Sequence, residues 1–118
     1  MKNVLFIKLS PLLRESGNTD YNDNAITRIL DCRTNSYDHI KAKLEDDHLC
    51  KENILVITPI TESLGRQMID LQDKSDLVIQ FNSDFEGDIK VLKTRLDIVG
   101  TANLILDVAE TLRIFKYL

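Results

Sequence analysis

The sequence predicts an α/β fold: three parallel strands separated by helices, followed by an antiparallel extension at the C-terminal end. Three observations predict it. Unbroken apolar runs occur at Val4-Leu5-Phe6-Ile7, Ile54-Leu55-Val56-Ile57 and Leu77-Val78-Ile79, and runs of this length without alternation suit strands buried on both faces. Between them the apolar residues fall three and four apart, the spacing of one helix face. After Gly87 the pattern shortens into segments separated by turns.

Taken in order, the first strand ends at Lys8, and Pro11 breaks any ladder beyond it. Residues 14–24 are polar and rich in turn formers, which predicts an exposed loop. Asn22 or Asp23 can cap a helix carrying Ala25, Ile26, Ile29 and Leu30. Ser36 can cap a second helix with Tyr37, Ile40 and Leu44 on one stripe, its neighbour His39 falling on the exposed side. The second strand stops at Pro59. A third helix runs through Leu64, Met68, Ile69 and Leu71 and ends near Asp73, and the third strand follows, running on to Phe81. Three short strands are then predicted at 89–93, 103–108 and 112–117, with turns at 97–101 and 109–111. The order is β-α-α-β-α-β-β-β-β. Right-handed crossovers place the first three strands parallel and the last ones antiparallel.

The chain of 118 residues has no internal repeat and no linker, which predicts a single domain. Fifteen Lys and Arg against nineteen Asp and Glu leave a net charge of -4, which argues against general polyanion binding. The longest strongly apolar runs reach about five residues, far short of the ~20 that cross a bilayer. Cys32 and Cys50 form no metal-binding pair such as CxxC, so a reduced, cytoplasmic setting is expected.

No phosphate-binding loop is present. The four glycines stand apart, with neither GxxxxGK[ST] nor GxGxxG, so the usual means of cradling a nucleotide is missing. Asp46, Asp47, His48 and Cys50 gather ligand types along one short stretch, but a metal needs convergence in space, and the stretch reads as a solvated turn. Neither cysteine has a flanking nucleophile motif. No cofactor, metal or catalytic residue is expected. The sharpest local feature is Lys93-Thr94-Arg95. Two cations two apart on a strand share a face, a fork and a point charge suited to an anion. The plainer reading is a solvated strand face neutralised by Asp97.

Residues 75–106 resemble the C-terminal part of the RecA-like ATPase core of hexameric replicative helicases, the DnaB-like enzymes and their phage relatives. Asp76, Lys93, Arg95 and Gly100 match that pattern in order and approximate spacing. The resemblance implies a truncated RecA-like domain over residues 1–118. In it, 54–60 is the sensor strand, 4–12 is the Walker B strand, and the Walker A element would precede Met1. It also implies degeneracy: Lys8 stands at the Walker B position, a cation where a cation must bind, and Thr58 or Pro59 at the sensor position. Lys93 and Arg95 match the pair that reaches a neighbouring subunit's nucleotide.

The expected function is a non-catalytic RecA-like module that binds and regulates, or inhibits, a replicative helicase or recombinase-type ATPase. Its partner would be that protein, with homo-oligomers and weak single-strand binding as further expectations and no membrane. One alternative is a small nucleic-acid-binding subunit of replication or recombination, using the 14–24 loop. Another is an unrelated small α/β enzyme, whose mark would be a pocket at the carboxyl ends of parallel strands with perturbed carboxylates.

Overall fold

The computed structural model describes residues 2–11, 26–46, 52–82 and 89–114. Strand β1 (Lys2–Lys8) lies at the centre of a five-stranded sheet. Around it stand β2 (Ile26–Asp31), β3 (Glu52–Pro59), β4 (Leu77–Asn82) and β5 (Lys90–Thr94), in the order β2-β3-β1-β4-β5. Helices α1 (Tyr37–Glu45) and α2 (Gly65–Asp73) follow β2 and β3, and a short 3-10 turn, Glu62–Leu64, leads into α2. Helix α3 (Ile98–Ile114) follows β5. The fold class is α/β.

Alternation along the central strands divides the core into two layers. Val4 and Phe6, with Val56 and Val78, face Ile40 and Leu44 of α1 and Leu71 of α2. Leu5 and Ile7, with Leu55 and Ile79, face Leu104, Val108 and Leu112 of α3. Phe6 sits in register between Val56 and Val78, so the largest β1 side chain anchors both neighbours. The three α3 anchors are wholly buried, and each contributes about 1.5–3 kcal/mol through area removed from water.

Strand direction corrects the first expectation. β1 is antiparallel to both β3 and β4, so the opening three apolar runs are not mutually parallel; among the described strands, β2 and β3 are the pair that runs parallel. A buried apolar run reports that both faces are covered and carries no sign of chain direction. Helices on both faces cover an antiparallel centre as fully as a parallel one. The antiparallel extension is present in β5, which pairs antiparallel with β4 across an irregularity between Val78 and Ile79.

Two stretches of the chain change type. Residues 26–31 form β2 rather than a helix. The spacing of Ile26, Ile29 and Leu30 suits a helix face, yet Ile26, Thr27 and Ile29 are β-branched, and pairing with β3 uses the stiff backbone they favour. The two strands expected over 103–108 and 112–117 are replaced, through residue 114, by α3. Leu104, Val108 and Leu112 recur every fourth residue, and Asp97 accepts a hydrogen bond at Oδ1 from Gly100 N as its cap. Among the described residues, no helix is long and apolar enough to cross a membrane.

Candidate functional site

Of the residues singled out by the resemblance, Lys8, Asp76, Lys93 and Arg95 meet at one end of the sheet, where α1 and α2 terminate. Lys8 is buried, and its Nζ donates to the Leu44 carbonyl in the last turn of α1. Lys93 Nζ donates to the Gln72 carbonyl, and Arg95 Nη2 to the Asp73 carbonyl at 3.0 Å, both at the end of α2. The shared face expected for Lys93 and Arg95 is therefore present, and it looks onto the chain's own helix. The last carbonyls of a helix lack intrahelical donors and carry the negative end of its dipole, which cations offset. Asp76, buried beside them, accepts from Leu9 N at 2.8 Å and lies 3.9 Å from Arg95.

Thr58 and Pro59 lie at the opposite end, on the wall of a cleft of about 260 Å³ over the carboxyl ends of β2 and β3. The turn from β2 into α1 builds its other wall. Asp31 ends β2 and organises that turn. Its carbonyl accepts from the backbone N–H of Thr34 and of Asn35, and its carboxylate accepts from Arg33 N at 2.8 Å and Arg33 Nε at 2.9 Å. The Arg33 guanidinium hydrogen-bonded to Asp31 holds that carboxyl below its ordinary range. Cys32 follows β2 and lines the cleft. Burial pushes its thiol up, against a smaller opposing effect of the Thr58 hydroxyl, so it stays protonated and weakly nucleophilic. Tyr37 Oη donates to Asp70 at 3.3 Å, and burial together with the Asp70 charge pushes its phenol up. Ser36 caps α1 as expected, accepting from His39 N at 3.3 Å, and His39 is exposed.

A third feature is apolar. Ile98 is 89% exposed, and Val99 and Leu106 are each 69% exposed on one flank of α3. Between that flank and β5 runs a groove of about 300 Å³; among the described residues it is lined by Val91, Leu96, Ile98, Ala102 and Ile105 with two threonines and no charged side chain. Among the described strands, β5 stands at the end of the sheet. Reading 103–108 as a strand concealed this flank. The helical spacing of Ile98, Ala102, Ile105 and Ala109 was the signal available for it.

The 14–24 loop lies outside the described residues, as do Asp47, His48 and Cys50. Comparison with protein-family models, with curated proteins and with solved structures finds no match.

Proposed function

We propose that this chain is a protein-binding module that does not itself hydrolyse ATP and that docks on its partner through the α3–β5 groove. The observation that carries the reading is the exposed apolar flank: three large aliphatic side chains stand in water beside an uncharged groove. Contiguous apolar surface of this kind marks interaction sites, whereas singly scattered residues do not. The occupant that fits is an amphipathic helix of another protein, laying its apolar stripe along Ile98, Ala102 and Ile105. The resemblance over residues 75–106 supplies the partner class, a replicative helicase or recombinase-type ATPase. Mimicry of an ATPase subunit is the weaker form of this idea. The central strands run antiparallel, and Lys93 is occupied by the chain's own α2.

The test mixes the purified chain with the replicative helicase and the recombinase of its source organism. A complex on gel filtration and altered ATPase activity of the partner are expected. Leu106→Asp and Ile98→Asp should each abolish both effects with the melting temperature unchanged. No complex with either ATPase, or one indifferent to both substitutions, overturns the reading. So does concentration-dependent self-association that buries the same flank.

A further inference from the structure

We infer that β5 is a sheet edge defended against strand addition by Lys90 and Lys93, which a bulge aligns on one face, so that the guest in the groove on its other face is a helix. The helical guest deepens the docking reading and rests on it; the defended edge stands without it.

The bulge is the first observation. Residues three apart on a regular strand point to opposite faces. Between β4 and β5 the register shifts: Val78 pairs with Lys93 and Ile79 with Val91, which leaves Leu92 as the extra residue. Val78 belongs to the layer under α1 and α2, and Gln80, two residues on, shares its face and pairs with Lys90. Both lysines therefore stand on the α2 side of β5. Lys93 turns inward, its Nζ donating to the Gln72 carbonyl, and Lys90 is exposed. Among the described strands β5 ends the sheet. A strand added beyond it would lay side chains against both ammonium groups and strip water from them. Edge lysines and bulges are the means by which sheets repel such pairing. A second copy pairing through β5 would also bring the lysines of both copies onto one face, like charge against like.

The second observation is the opposite face. Val91 and Thr94 pair with Ile79 and Leu77 of the α3 layer, and both line the groove. The two threonine hydroxyls of the groove already have partners. Thr94 Oγ1 and Thr101 Oγ1 hydrogen-bond at 3.1 Å, Thr94 Oγ1 accepts from Leu96 N at 3.0 Å, and Thr101 Oγ1 donates to the Asp97 carbonyl at 2.7 Å. The rest of the described lining is aliphatic. An extended segment lying there would leave backbone N–H and C=O groups unpaired unless it joined β5, and the lysines oppose that step. A helix satisfies its backbone internally and needs from the groove only apolar contact.

Sedimentation velocity of the full chain over a wide concentration range tests the edge without any partner. The parent and Lys90→Glu, which keeps a charge at that position, should remain monomeric. Lys90→Ile should self-associate, and Lys90→Ile with Lys93→Met should do so at a concentration about tenfold lower than the parent could. Lys93→Met also loosens the end of α2, so it is run alone, with the melting temperature of each variant alongside. A double variant as monomeric as the parent, or one no more associated than Lys93→Met alone, overturns the defended edge. So does association that disappears when Leu106→Asp is added, because the α3 flank and not β5 would then hold the copies together. The helical guest is read from the complex with either ATPase: Lys90→Ile should leave its affinity unchanged, whereas tighter binding would mean that the partner adds a strand and would overturn the helix. Absence of a complex removes the helical guest together with the docking reading, and the sedimentation result still decides the edge.

Discussion

Replacing Lys93 and Arg95 by methionine, singly and together, separates a structural role for this pair from an outward-facing one. Methionine keeps most of each aliphatic stem and removes the charge and donors. Lys93 is half-buried, and its loss leaves the Gln72 carbonyl at the end of α2 without its charged donor. A hydrogen bond to a charged group is worth about 1.5–3 kcal/mol when shielded, and a cation at a helix C-terminus about 0.3–1 kcal/mol at the surface. Partial exposure places Lys93→Met near 1 kcal/mol by these measures. The Arg95 side chain is 55% exposed, so solvent screening reduces its share to about 0.5 kcal/mol. The two act on the same helix end, so the double variant should cost about 1–1.5 kcal/mol, slightly less than the sum. For a domain of this size that lowers the melting temperature by roughly 4–7 °C. Circular dichroism during heating, with urea midpoints as a second measure, reads the effect. A double variant within about 0.3 kcal/mol of the parent, the usual additivity error, would refute the capping argument.

Two further outcomes follow from the same geometry. Leu104→Ala should destabilise by about 2–5 kcal/mol, while Leu106→Ala should stay within about 0.5 kcal/mol, because Leu104 is buried and Leu106 exposed on α3. Residues two apart on a strand would share a face and respond alike, so equal costs in urea unfolding would argue against the helix. For Asp31, hydrogen bonding to Arg33 depresses the folded carboxyl below the ordinary value of 3.8. Its stabilisation is therefore complete above that value and is lost as pH falls through the folded one. Acid titration of stability should show this limb in the parent and a smaller one in Arg33→Gln; identical acid limbs would exclude the pair.

Much of the architecture was legible. The runs at Val4, Ile54 and Leu77 became the three central strands, and Ser36 capped the helix it was expected to cap. The misreadings arose where two periods fit one stretch. Leu30 and Ile29 are adjacent, so they suit a helix stripe, yet in β2 they face opposite layers of the core. Residues 103–108 alternate well enough for a strand, and only the longer reach from Ile98 to Leu112 shows the fourfold recurrence of a helix. The cleft was less accessible still. Thr58 and Cys32 lie 26 positions apart and meet because β2 pairs with β3.

From the sequence alone followed what local chemistry decides: buried strands where apolar runs are unbroken, a cap where a hydroxyl precedes a helix stripe, and the want of a glycine-rich phosphate loop. Strand direction, the partners of Lys8, Lys93 and Arg95, and the walls of the cleft were decided by tertiary structure. Hydrophobic burial is non-directional, so a pattern of apolar residues can place a strand in a core without saying which way it runs or which helix end its charges will meet.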